Sequence, residues 1–312
     1  MFDLVIIEAA IGIAVLIFSS HTLVRSAEKI SRVFRLSPLI VGTTIVALGT
    51  SLPELAVSTI ALARQDPGLA MGNLIGSNIT NIFLVLPVGI LIGKLRIGTT
   101  KTQRNALLLF GVTTIFILLL VLSFPAIFSG LFLIALAVSF TIEEYELGVF
   151  GRTHEDSAKF KSHKIENFSL GKILSVILAT AGVILGGVLV VNSVEKISIL
   201  TGYSTTILGL SLTAVATSLP ELLTTIFSQE ENQEKITIGN IIGSNIYNLL
   251  FIGGIVTLFS KATTLVTKDW LWLILATACF VGFLRFYSGK YVPRWVGASF
   301  LLLFFIYLIT LV

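Results

Sequence analysis

Residues 42–60, GTTIVALGTSLPELAVSTI, are apolar except for a kernel, Thr50-Ser51-Leu52-Pro53-Glu54, and this kernel returns 167 positions later as Thr217-Ser218-Leu219-Pro220-Glu221. The same offset carries Glu28-Lys29-Ile30-Ser31 to Glu195-Lys196-Ile197-Ser198, Gly42 to Gly209 and Gly72-Asn73 to Gly239-Asn240. It also carries Ser77-Asn78-Ile79 to Ser244-Asn245-Ile246 and Asn81 to Asn248, with no gap. Whatever fold the chain adopts must therefore contain two related halves.

The 312 residues are 55% hydrophobic and 12% charged, far more apolar than an ordinary soluble domain. The expected fold is an all-α integral membrane protein, since a transmembrane helix needs about 20 apolar residues. Apolar runs mark helices over about 4–24, 38–63, 69–93, 104–123 and 126–146, then 169–193, 204–228, 236–259, 269–287 and 293–312. The first run is too long, and lacks the basic start, for a cleaved signal peptide, so it counts as helix 1. The predicted organisation is a first five-helix repeat over 1–146, a cytoplasmic linker over 147–168 with charges of both signs, and a second repeat over 169–312. Five is odd, so the second copy enters the membrane from the opposite side. Ten transmembrane helices as two inverted five-helix repeats follow, an arrangement that marks secondary transporters with midplane sites. Basic residues orient the chain. With the N-terminus outside, seventeen Lys and Arg fall on inner segments and four (Arg64, Lys196, Lys261 and Lys268) on outer ones, which predicts both termini outside a cell membrane.

A carboxylate inside a membrane helix faces a cavity, a partner or an ion, because burying it in hydrocarbon costs roughly 2.5 kcal/mol or more. Ala47, Thr50, Ser51 and Glu54 fall at i, i+3, i+4 and i+7 and share one helix face. Pro53 has no N–H for the carbonyl of Gly49, and Pro220 none for Ala216, so backbone oxygens near each kernel lose helical partners. Gly72 and Gly76, four apart, allow close helix approach, while Ser77 and Asn81 share a face one turn apart; Gly239, Gly243, Ser244 and Asn248 repeat the pattern. Glycine faces packed on the kernel helices bring a hydroxyl and an amide from each half toward the two glutamates. Carboxylate, carbonyl, hydroxyl and amide oxygens suit a hard cation rather than zinc, copper or iron. Two glutamates balance one calcium ion, and equally suit sodium ions or protons.

The remaining polar residues have blander readings. Asn73, Asn78, Asn240 and Asn245 read as packing or capping residues, His21 as interfacial, and His154 and His163 as solvated. The acidic clusters Glu143, Glu144, Glu146 and Glu230, Glu231, Glu234 read as solvated faces. The single Cys279 excludes an intrachain disulfide and reads as a small buried residue. No histidine–metal or nucleophile–base constellation points to an enzyme, and no motif points to nucleic acid.

The two kernels and their following helices, GTTIVALGTSLPEL with GNLIGSNITN and GLSLTAVATSLPEL with GNIIGSNIYN, resemble the two alpha repeats of the cation/calcium antiporter superfamily, in its sodium/calcium exchanger branch. That resemblance implies calcium bound by Glu54, Glu221 and the carbonyls of Thr50 and Thr217. It implies sodium sites that add the carbonyls of Ala47 and Ala214 and the hydroxyls of Ser51, Ser218, Ser77 and Ser244. Helices 1 and 6 would slide against the rest. The superfamily's proton-coupled branch typically carries Gly-Asn before the repeat glutamate, whereas both copies here carry Thr-Ser-Leu-Pro, which favours sodium. Sodium/calcium exchangers resembling this chain often have aspartate where Asn248 stands, so this site has two acids rather than three. The expectation is an antiporter exchanging calcium for sodium, with no cofactor and with the bilayer and the calcium and sodium ions as its partners; a monomer suffices. The alternatives are calcium/proton exchange and, from another class, a cation channel, which would pass uncoupled current.

Overall fold

The computed structural model describes residues 2–34, 37–98, 100–149, 170–199, 209–259 and 267–311. The architecture among them is helical, with only two isolated β-bridges, Arg96 to Tyr291 and Ile97 to Ser288. The helices are α1 (Phe2–Phe34), α2 (Pro38–Ala63), α3 (Pro67–Ile92), α4 (Thr100–Val121), α5 (Ala126–Val149) and α6 (Leu170–Ile199). They continue as α7 (Leu210–Thr217 and Leu219–Glu230), α8 (Glu234–Phe259), α9 (Thr267–Phe286) and α10 (Arg294–Leu311). Among the described residues eight helices are long and apolar enough to cross a membrane, and nine if the two segments of α7, bent by 45°, form one span. The remaining helix, α6, holds a shorter apolar stretch, Ile173–Leu189.

Boundaries follow local chemistry. Asp66 caps α3 by accepting from the Leu69 N–H at 3.0 Å, and Pro67 occupies the first turn, where its missing N–H costs nothing. The α2–α3 connection closes at Gln65, which takes a positive φ of 60°. Helix α1 runs ten residues beyond the predicted 4–24, and α5 runs into the predicted linker, whose residues 150–168 lie outside those described. The start of the predicted seventh helix, 204–208, also lies outside them.

Four π-helical turns interrupt the helices, at Gly42–Val46, Asn81–Val85, Gly209–Thr213 and Asn248–Ile252. They pair at the same offset of 167 residues as the sequence repeat. The i+5 bonds from Ala47 N–H to the Gly42 carbonyl and from Leu86 N–H to the Asn81 carbonyl define two of them. Nothing in the apolar pattern of the sequence marks these turns.

Helices α3 and α8 occupy the centre, with Leu74, Ile75, Ile79, Ile241, Ile242 and Ile246 all removed from solvent. Glycines let the kernel helices reach them. A Cβ on Gly76 would lie 2.7 Å from both Ala214 Cβ and the Leu210 carbonyl oxygen. One on Gly243 would lie 2.5 Å from the Thr43 carbonyl oxygen and 2.6 Å from Ala47 Cβ. The two contacts are counterparts: α3 of one half packs on α7 of the other, and α8 on α2. Helices α4, α5, α9 and α10 flank this core, and α1 lies along α6 as a separate pair that touches the kernel helices. Outward-facing side chains such as Phe18, Ile127 and Leu185 are apolar, as a lipid-facing surface requires.

One expectation fails outright. Glu144 is not part of a solvated acidic face: it is 1% exposed, accepts from Thr43 Oγ1 at 2.8 Å and pairs with the Arg104 guanidinium. Arg104 also reaches Glu143 at 3.3 Å. A buried carboxylate needs such partners, and the guanidinium and hydroxyl supply them. Glu143 and Glu146 are exposed, as expected.

Candidate cation site

Each kernel helix breaks at its serine. Ser51 and Ser218 have φ, ψ of −81°, 2° and −80°, 3°, outside the helical basin, and each is followed by a helix whose second residue is proline. Proline belongs in a first turn, where its missing N–H removes no bond, so the sequence Ser-Leu-Pro-Glu restarts a helix rather than continuing one. Glu54 and Glu221 thereby sit in the first turns of Leu52–Ala63 and Leu219–Glu230, where exposed N–H groups and the helix dipole favour negative charge.

The two halves interlock around these breaks. Thr50 Oγ1 donates to Asn240 Oδ1 at 3.1 Å and lies 3.4 Å from Ser244 Oγ. Its counterpart, Thr217 Oγ1, donates to Asn73 Oδ1 at 3.2 Å and lies 3.1 Å from Ser77 Oγ. Ser51 Oγ donates to Glu221 Oε1 at 3.3 Å, so a hydroxyl of one half meets the carboxylate of the other. Asn73 Nδ2 reaches the Glu54 carbonyl at 3.4 Å. The carbonyls of Ala47 and Ala214 already accept the Ser51 and Ser218 N–H groups at 3.0 Å.

The unmet hydrogen-bonding capacity is concentrated at the same place. Glu54, Glu221, Ser77, Ser244, Asn81 and Asn248 are all 0% exposed. Both carboxylate oxygens of Glu54, Oε2 of Glu221, Ser218 Oγ and both amide atoms of Asn81 and of Asn248 have no protein hydrogen-bond partner. Asn81 and Asn248 open the π turns Asn81–Val85 and Asn248–Ile252, one helical turn after Ser77 and Ser244. An isolated buried carboxylate is costly, whereas a dehydrated hard cation satisfies several oxygens together. Among the described residues no group of three or more His, Cys, Asp or Glu side chains converges, and the acids at the helix breaks are the two glutamates.

Asn73 and Asn240, expected to pack or cap, do join helix to helix, and the structure supplies their partners, the kernel threonines of the opposite half. Asn78 and Asn245 do act locally, their Nδ2 atoms donating to the carbonyls of Leu74 and Ile241 at 2.8 and 2.7 Å. His21 stands 3.9 Å from Glu231 and packs on Phe227, away from the kernels. His154 and His163 lie outside the described residues.

Fold and site together define an all-helical membrane protein with an oxygen-lined site between two broken helices. The model of the sodium/calcium exchanger protein family matches residues 5–142 and 171–312, and the chain belongs to that family. It is 31% identical over 303 residues to an uncharacterised membrane protein of Methanocaldococcus jannaschii, covering 95% of this chain and 94% of that one. It is 28% identical to the sodium/calcium exchanger MaX1 of Methanosarcina acetivorans, covering 96% of each. The solved structure of the sodium–calcium exchanger NCX_Mj soaked with sodium and strontium superposes with a TM-score of 0.80, at 27% identity and 98% coverage of both chains.

Proposed function

We propose that the chain is a secondary antiporter that exchanges calcium for sodium by alternating access at one site shared between its halves. The observation that carries this reading is the pair of fully buried glutamates at equivalent helix breaks, with Ser51 of one half on Glu221 of the other. Family membership and the likeness to NCX_Mj support the choice of ions.

In this reading Glu54 and Glu221, with the carbonyls of Thr50 and Thr217, hold calcium, and their two negative charges match its two positive ones. Sodium ions use the same carboxylates with the hydroxyls of Ser51, Ser218, Ser77 and Ser244 and the amide oxygens of Asn81 and Asn248. The carbonyls of Ala47 and Ala214 contribute only by sharing lone pairs with the Ser51 and Ser218 N–H groups. Because both cations need the same acids, occupancy by one excludes the other, and exchange follows from competition. The ions are substrates; the reading needs no resident cofactor and no enzymatic step.

Ten spans in two inverted repeats, 1–146 and 169–312 about the linker 147–168, give the site access from either side when α1 and α6 slide past the core. The four matched π turns and the paired contacts of Gly76 and Gly243 support such symmetry. The basic-residue asymmetry supports both termini outside, in a cell membrane, and a single chain contains the whole site. Radiocalcium binding to Glu54→Gln and Glu221→Gln protein tests the site. Each variant should lose calcium binding, and calcium transport retained by either one would remove that residue from the site.

A further inference from the structure

The two halves differ where α2 and α7 leave the kernel. Beyond Glu54, the face at i+3, i+4 and i+7 carries Val57, Ser58 and Ala61; beyond Glu221 it carries Thr224, Thr225 and Ser228. In α2 the one hydroxyl is engaged, Ser58 Oγ accepting from Asn73 Nδ2 at 3.3 Å. In α7 the counterpart pair is open: Thr225 Oγ1 and Asn240 Nδ2 are both buried and have no partner. Thr224 Oγ1 and Ser228 Oγ are also buried without partners, and all three hydroxyl residues are 0% exposed. Serine and threonine inside a helix ordinarily satisfy themselves on the carbonyl four residues back, as Thr59 and Thr113 do here. With Glu221 Oε2 there are five unpartnered polar atoms, four of them on one face of α7 running from the kernel toward its end and the fifth, Asn240 Nδ2, on α8.

That face ends at Gln229, which is 7% exposed and donates through Nε2 to Thr237 Oγ1 at 2.9 Å. Its side chain lies against Gly93 at the end of α3, where an added Cβ would overlap it, and Thr225 Cγ2 lies against Gly89 one turn earlier. Glycines on and just after α3 thus receive the Thr225 methyl and the Gln229 side chain in close contact, and the glutamine lies across the far end of the hydroxyl row. Just beyond, Glu231 pairs with Arg25 of α1 at 2.9 Å.

We propose that Thr224, Thr225 and Ser228 line a cation passage from Glu221 to the Lys/Arg-rich face, stoppered by Gln229, with no equivalent in the other half. Neutral hydroxyls alone hold a partly hydrated hard cation loosely, which suits transit rather than storage. The passage is shut in this conformation. The proposal rests on the transport reading above for its direction of use, but not for the ion that is exchanged.

The test compares wild type with a T224V/S228A variant, which installs the residues that Val57 and Ala61 already provide in the same packing of the other half. In proteoliposomes, equilibrium radiocalcium binding should be unchanged while sodium-driven calcium exchange slows by about tenfold; a T224S/S228T variant, which keeps both hydroxyls, should exchange like wild type. In parallel, Thr225→Cys in a Cys279→Ser background should react with a small cationic methanethiosulfonate added from the Lys/Arg-rich face. This labelling does not depend on which ion is exchanged, so it separates failure of the passage from failure of the sodium/calcium reading. Wild-type exchange by T224V/S228A together with an unreactive cysteine at position 225 would overturn the proposal.

Discussion

Asn245 and Asn248 are three residues apart on one helix, yet their environments assign them different work. Asn245 Nδ2 is tied to the Ile241 carbonyl and only its Oδ1 lacks a partner, whereas Asn248 has no protein partner on either amide atom. Asn248→Ala should therefore weaken cation binding by about tenfold, the loss expected when one polar contact of roughly 1.4 kcal/mol goes. Asn245→Ala should affect stability and leave affinity unchanged; radiocalcium binding on both variants decides. At this scale the sequence was readable where chemistry repeats in a costly place. Glu54 and Glu221 stood out because a carboxylate in an apolar run demands a reason, and Thr50, Ser51, Ser77 and Asn81 stood out by helical spacing. The partners of Asn73 and Asn240 were not readable because they belong to the other half, and no spacing within one helix reveals a contact across the molecule. Glu144 was missed for the same reason: Arg104 and Thr43 come from other helices.

At the scale of elements, the kernel helices depend on glycine contacts and on that ion pair. Gly243→Ala places a methyl 2.5 Å from the Thr43 carbonyl oxygen, at the π turn that precedes the kernel. Overpacking of this kind costs about 1–3 kcal/mol, so the variant should show a lower Tm and weaker calcium binding, because the shifted helix carries Thr50 and Ser51. Gly282→Ala is the control, since nothing lies within 4 Å of a Cβ there, and should match wild type. Glu144→Ala removes the charged partner that Thr43 and Arg104 share, while Arg104 keeps Glu143, and should cost about 1.5 kcal/mol of stability, read as a fall in Tm, with exchange retained by the protein that remains folded. Helix positions were legible from hydropathy, α2 and α8 to within two residues. The π turns were not, because one extra residue in a turn leaves the apolar pattern nearly unchanged.

For the whole molecule, α1 and α6 pair with each other apart from the core, and on the alternating-access reading they move together. Ser26 of α1 and Ser175 of α6 have their hydroxyls 2.7 Å apart, while Arg25 of α1 grips Glu231 of α7. In a Cys279→Ser background, a disulfide between cysteines at positions 26 and 175 should leave exchange intact. A short bifunctional thiol linker between cysteines at positions 25 and 231 should stop it, because it ties the sliding pair to the core. The constant offset of 167 residues was readable in the sequence and returns in the four π turns, but how α1 and α6 sit on the core was not, since the apolar residues of both helices point outward as well as inward. Sodium/calcium exchange itself is tested most directly by radiocalcium uptake into proteoliposomes, driven separately by an outward sodium gradient and an outward proton gradient with the membrane potential clamped. A site built on two glutamates and four hydroxyls, with Thr-Ser-Leu-Pro before each acid, predicts uptake with the sodium gradient and none with protons alone. Uptake driven by protons alone, or calcium flux that needs neither gradient, would contradict it.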